Sequence, residues 1–65
     1  MNRKQPIVSK ITPVEASSII ETRLPFGKFY CIDDETYVAI DNETGDAWVE
    51  EFRSYGACRR WLLNG

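Results

Sequence analysis

The stretch from Lys28 to Phe52, KFYCIDDETYVAIDNETGDAWVEEF, decides the fold of this chain. Its β-branched and aromatic runs are separated by clusters of Asp, Asn and Gly, a pattern typical of strands joined by turns. The segment Asp41–Asp46 predicts a type I turn with Gly45 in the left-handed conformation. We therefore expect a three-stranded antiparallel meander, with strands at residues 29–32, 36–40 and 47–52.

The pattern leaves open which face of this sheet is the core. Side chains alternate between the two faces along a strand, so a one-residue difference in hairpin register would exchange part of each set. We expect five residues of the meander to point inward: Cys31, Val38, Ile40, Ala47 and Val49.

A helix is predicted before the meander. Thr12-Pro13-Val14-Glu15 combines a Thr N-cap, a Pro at the first helical position and a Glu three residues after the cap, which is a capping box. Apolar residues then follow at helical spacing, at Ala16, Ile19 and Ile20, and Leu24 could extend this stripe. The helix must end before Pro25, because proline disfavours helical backbone at the residue that precedes it.

A second helix is predicted after the meander. Ser54 is a suitable N-cap, and Asn64-Gly65 suits a C-terminal stop. An apolar stripe lies between them, at Tyr55, Cys58, Trp61 and Leu62. One short sheet cannot close on itself, so its apolar face must be covered by the helices. The expected fold class is therefore α+β: helix, three-stranded meander and helix, in a two-layer sandwich.

Length and composition bound the domain organisation. With 65 residues and 43% hydrophobic content, the chain has room for one small globular domain. We assign residues 12–65 to this domain and expect residues 1–11, with their charged start and Pro6, to form a flexible arm. No run approaches the roughly 18 apolar residues of a membrane helix, and the first residues lead into no apolar signal region. We therefore expect a cytoplasmic protein.

Charge is strongly segregated along the chain, although the formal net charge is only -2. Residues 1–31 hold five bases and two acids, and residues 52–65 hold three bases and no acid. Residues 32–51 hold eight acids and no base. This middle segment has two interpretations: the acidic turns of a solvated hairpin, or a negative surface for a basic partner.

Several short motifs resemble those of a known family. They are Leu24–Tyr30, Tyr37–Asn42, the most specific run Ile40–Trp48 (Ile-Asp-Asn-x-Thr-Gly-Asp-Ala-Trp), Glu50–Phe52 and the closing Trp61-Leu62. Over roughly residues 12–63, the chain resembles a family of small uncharacterised proteins of Gram-positive bacteria and their mobile elements. The resemblance implies a cytoplasmic, bacterial or mobile-element setting, and it brings no known activity and no catalytic residue.

Catalytic and metal-binding chemistry find little support in the residue types. The chain has no histidine, and Cys31 and Cys58 lie 27 positions apart, which fits neither a redox pair nor a zinc site. We expect two buried, free thiols. Asp41 and Glu43 suggest a divalent cation, but Gly45 comes one place early for an EF-hand loop. We expect no enzymatic activity, no metal and no cofactor.

Our leading hypothesis is a non-enzymatic interaction or regulatory module that docks on another protein with a basic surface. Tyr and Trp are enriched at interface hot spots, and carboxylates around them would select a basic partner. The candidate partner-binding residues are Tyr37, Trp48, Asp34, Glu35, Asp41, Glu43, Asp46 and Glu50.

Two alternatives come from other functional classes. The acidic segment could mimic a nucleic acid and inhibit a DNA- or RNA-handling enzyme. The basic termini could instead bind nucleic acid weakly, with Tyr30, Tyr37 and Trp48 as a stacking platform, although the neighbouring acids repel phosphate. The outer strands leave unpaired edges, so a monomer and a weak homodimer both stay open.

Overall fold

A computed structural model describes residues 7–64 and shows four strands and two helices. In chain order they are β1 (Val8–Lys10), α1 (Pro13–Thr22), β2 (Gly27–Asp33), β3 (Thr36–Asn42), β4 (Trp48–Phe52) and α2 (Tyr55–Asn64). The predicted α+β class is confirmed. Gly65, which belongs to the predicted C-terminal stop, lies outside the described residues.

The strands form one mixed sheet in the order β1-β2-β3-β4. The pairs β2–β3 and β3–β4 are antiparallel, as the predicted meander requires. The prediction missed β1, which pairs in parallel with β2 and is joined to it through α1 as a crossover helix. Ile11 extends this edge, because its backbone N–H donates to the Tyr30 carbonyl at 2.8 Å.

The structure describes only part of the flexible arm expected over residues 1–11. Val8–Lys10 form an ordered strand, because Val8 packs in the cluster beneath α2 and parallel pairing with β2 provides backbone partners. Residues 1–6 lie outside the described residues.

Helix α1 begins at the predicted capping box. The Glu15 N–H donates to Thr12 Oγ1 at 3.1 Å, and the Thr12 N–H donates to Glu15 Oε1 at 2.8 Å. The helix ends before Pro25, as predicted, with Arg23 as a left-handed C-cap whose N–H donates to the Ile19 carbonyl at 2.7 Å.

Helix α2 begins at the predicted N-cap, because the Ala57 N–H donates to Ser54 Oγ at 3.2 Å. Cys58 and Leu62, both of the predicted stripe, are fully buried, while Trp61 is half-buried and Tyr55 is exposed. The expected side of the helix therefore faces the sheet.

The two helices cover opposite faces of the sheet, so the predicted two-layer sandwich is wrong. On one face, Ala16 and Ile19 of α1 pack with Phe29, Cys31 and Ile40. On the other face, α2 packs over a second cluster, which contains Val8, Tyr30, Tyr37, Ala39, Phe52, Cys58, Trp61 and Leu62. A strand that is covered on both faces needs apolar residues at consecutive positions. The coverage of both faces therefore explains the continuous apolar runs of β2 and β3.

The expected inward set is correct for β2 and β3 and wrong for the third strand. Cys31 and Ile40 are buried and Val38 is half-buried on the α1 side. Val49 shares that side but is 41% exposed, because α1 packs on β2 and does not extend over β4. Ala47 lies in the loop before β4, with φ at 51°.

Cys31 and Cys58 are buried and free. Burial raises the pKa of both thiols above its ordinary value, and the Asp33 carboxylate adds to the effect at Cys31. Because the thiolate is the reactive form, both effects lower reactivity.

We expect both thiols to react slowly with a thiol reagent in the native protein and rapidly in denaturant, as measured by mass spectrometry. Equal labelling rates with and without denaturant would contradict burial of the thiols.

The raised pKa of both thiols also predicts how stability depends on pH, because it favours the protonated thiol in the folded state. The free energy of unfolding should therefore fall as the pH rises from the ordinary thiol pKa of 9.0 towards the raised values.

Candidate functional site

Two chain segments meet at one end of the sheet. Gly27 at the start of β2 pairs with Asn42 at the end of β3, and Asp41 pairs with Trp48 at the start of β4. We define the hairpin end as residues 24–27, which precede and begin β2, together with residues 42–48, which join β3 to β4.

The Asn42 side chain fixes the geometry of the hairpin end. It is fully buried, its Nδ2 donates to the Pro25 carbonyl at 2.9 Å, and its Oδ1 accepts from the Ala47 N–H at 3.0 Å. Gly45 has the predicted left-handed backbone, with φ at 85°. Asn42 thus ties the turn to the connection between α1 and β2.

Two further contacts hold the turn against that connection. Arg23 Nη1 donates to the Gly45 carbonyl at 3.1 Å. The Phe26 ring lies so close to the turn that a Cβ atom on Gly45 would sit 3.5 Å from it. The hairpin end is therefore built from residues far apart in sequence.

Lys28 neutralises part of the acidic segment from inside the fold. This residue is only 7% exposed, and its Nζ lies 3.1 Å from Asp41 Oδ2 and 3.6 Å from Glu43 Oε1. The ammonium also donates to the Leu62 carbonyl at 2.6 Å. A cation at the C-terminus of a helix satisfies a free carbonyl and complements the helix dipole, so Lys28 joins α2 to the sheet.

The candidate acids lie at two separate ends of the sheet. Asp34 and Glu35 form the turn between β2 and β3 and line a shallow depression with Arg53. Glu43 and Asp46 belong to the other end, about 20 Å away along a strand of seven residues. The structure therefore does not gather residues 32–51 into one negative patch.

The candidate aromatic residues differ in exposure, although they share a face. Tyr30, Tyr37 and Trp48 all point to the side of the sheet that α2 covers. Tyr30 and Tyr37 are half-buried, with ring centroids 5.2 and 6.2 Å from that of Tyr55. Trp48 stays 64% exposed, so it is the candidate aromatic available to a partner.

Exposed apolar side chains accompany Trp48 at the hairpin end. Leu24 and Phe26 both belong to this end, and each exposes more than half of its surface. The carboxylates of Glu43 and Asp46 are exposed at the same end, with Glu50 two positions beyond Trp48. The hairpin end therefore carries both exposed apolar side chains and exposed carboxylates.

Two of the candidate carboxylates are engaged in local contacts. Within residues 7–64, no group of three His, Cys, Asp or Glu side chains converges as metal ligands would. Asp41 is held by Lys28, and Asp46 Oδ2 accepts from Thr44 Oγ1 at 2.8 Å. Asp41 therefore serves local structure, while Asp46 stays exposed at the hairpin end.

Sequence reasoning missed three residues of this region. Lys28 was not paired with Asp41, because that pair depends on the β2–β3 register. The sequence pattern does not single out Leu24 or Phe26 as candidate partner-binding residues, because the exposure of both depends on tertiary packing. Their one sequence signal is the position beside Pro25, which indicates a loop and therefore residues at the surface.

Comparison of the chain with family models, with curated proteins and with solved structures gave no match. The family resemblance of the sequence therefore stays a prediction. Neither α1 nor α2 is long and apolar enough to cross a membrane, and this finding covers only the described residues.

Replacing Lys28 with Met should lower the free energy of unfolding by roughly 3 kcal/mol, because the half-buried Asp41 carboxylate and the Leu62 carbonyl lose their partner. Chemical denaturation measures this loss. Lys10→Met is the matched control, since Lys10 is exposed, and it should change stability by less than about 0.5 kcal/mol. Equal effects of the two substitutions would contradict a structural role for the ammonium.

Proposed function

We propose that this chain is a non-enzymatic protein-binding module that docks a basic partner through Trp48 and the carboxylates around it. The exposure of Trp48 is the observation that carries the proposal. The proposed contact surface consists of the hairpin end and β4. It leaves out Asp34 and Glu35, which lie at the other end of the sheet.

The exposure of Trp48 has an energetic meaning. An indole is one of the largest apolar surfaces that a side chain can bury, and Trp is enriched among the residues that dominate binding energy. The other tryptophan, Trp61, packs against Phe52 with ring centroids 5.9 Å apart. Trp48 has no such packing partner among the aromatic pairs of the described residues, and its exposed ring supports a role in binding.

The charges around Trp48 support a basic partner. Among the described residues, the ion pairs join only Lys28 with Asp41 and with Glu43. Asp46, Glu50 and Glu51 are exposed and take no part in these pairs. Exposed carboxylates around an apolar contact steer a positively charged surface towards it and disfavour an acidic one.

The non-enzymatic part of the proposal rests on how the reactive groups are used. The Lys28 ammonium is occupied by three acceptors, the two thiols are buried, and the sequence has no histidine. Nucleophiles and bases held in this way have no access to a substrate.

Affinity capture from the native host tests the proposal with the chain and its variants as baits. Trp48→Ala should weaken binding of the recovered partner about 30-fold, which corresponds to a hot-spot loss of about 2 kcal/mol. Val14→Ala is the control, because Val14 is an exposed apolar residue on α1, and it should leave binding unchanged.

A second pair of variants separates the two ends of the sheet. Asp46→Asn at the hairpin end should slow association and reduce its dependence on salt, as measured by surface plasmon resonance. Asp34→Asn makes the same change at the other end and should have little effect. A partner that binds Trp48→Ala and Asp46→Asn as well as the unmodified chain would overturn the proposal. Competition by added DNA for the partner would instead support a nucleic-acid mimic.

A further inference from the structure

We propose that the free edge of β4 receives an extended, basic segment of the partner as a fifth strand of the sheet. The proposal rests on the proposed function and specifies how the docking occurs. It assigns the main contact to the backbone of β4, with Trp48, Glu50 and Glu51 selecting the sequence of the added strand.

Among the described residues 7–64, β4 is the last strand of the sheet and pairs on one side with β3. Four of its five residues are exposed, and only Phe52 is half-buried. An edge strand presents a row of backbone donors and acceptors, which is a template for another extended segment. The exposure of Val49 shows that the α1 side of this edge is also uncovered.

The two acids of β4 point to opposite sides of the sheet. Glu50 shares a face with Trp48 and Phe52, while Glu51 shares the other face with Val49. An added strand with basic residues at two consecutive positions would place one base beside each acid. Cross-strand pairs of opposite charge stabilise a sheet, and a guanidinium could also stack on the Trp48 ring.

The same acids disfavour a second copy of this chain as the occupant. Antiparallel pairing of two β4 strands about their acidic centre would bring Glu50 and Glu51 close to the same residues of the other copy. Like charges directly opposite each other destabilise a strand pair, and natural sheets protect their edges in this way. The edge therefore discriminates against its own sequence and in favour of a basic one.

A defined peptide probe tests strand addition without a known partner. The probe is a short peptide with adjacent Lys and Arg at its centre, flanked by Val and Thr, titrated into ¹⁵N-labelled protein. The expected result is a set of amide shift changes concentrated at residues 48–52, together with cross-strand contacts between peptide and β4 in nuclear Overhauser spectra.

Backbone methylation provides the matched control. Two forms of the peptide carry N-methyl groups at alternate residues, in opposite frames. One frame removes the amide protons that face β4, and the other removes those that face solvent. Strand addition predicts that one form loses binding and the other keeps it.

Charge variants test the selection. Glu50→Gln/Glu51→Gln should weaken peptide binding about tenfold. Glu21→Gln/Asp34→Asn removes two exposed acids elsewhere and should leave binding unchanged. With Glu50→Lys/Glu51→Lys, the preference should switch to a peptide that carries Glu in place of Lys and Arg.

The outcomes separate this inference from the proposed function. Binding that survives both methylated forms, with shifts at Trp48 but not along β4, overturns strand addition and leaves docking intact. Equal binding of the basic and acidic peptides overturns the inference and removes the charge selection that the docking proposal requires. If neither peptide binds, strand addition is overturned and docking through Trp48 is left intact. Shifts along β4 that depend on protein concentration alone would show that a second copy occupies the edge, which also overturns the inference.

Discussion

The side chain of Asn42 joins the two chain segments that form the hairpin end. Its amide donates to the carbonyl of Pro25, 17 positions earlier, and accepts from the N–H of Ala47, five positions later. A fully buried amide with unmet hydrogen bonds would be costly, so both contacts are needed at once. The turn before Trp48 is therefore fixed by the loop that follows α1.

Lys28 complements Asn42 on the other face of the same strand pair. Its ammonium links Asp41 to the end of α2, so the residues at the end of β3 are engaged on both faces of the sheet. β4 lies beyond these contacts and is the last strand of the sheet in the described residues. It exposes the ring of Trp48 and the carboxylates of Glu50 and Glu51. The end of β3, held by these contacts, thus borders an exposed strand, and a site placed on fixed elements is what the proposed docking would use.

Local signals predicted much of the fold, whereas the packing of the two faces depended on contacts that a sequence does not display. The caps at Thr12 and Ser54 and the left-handed turn at Gly45 depend on neighbours within a few residues, and all three are confirmed. β1 is three residues long and gains its order from parallel pairing with a strand 20 positions later. The candidate site was predicted only in part, because the ends at which the acids lie, and the exposure that separates Trp48 from Tyr37, follow from strand register and from the position of α2.

Hydrogen exchange at the Ala47 amide tests most directly whether Asn42 organises the hairpin end. In the unmodified protein this amide should be protected, and Asn42→Ala should remove the protection and shift the Trp48 indole resonance. Asn42→Asp keeps an acceptor for the Ala47 N–H but loses the donor to Pro25, so protection should persist while the free energy of unfolding falls. Unchanged protection of Ala47 in Asn42→Ala would contradict the central role of this side chain.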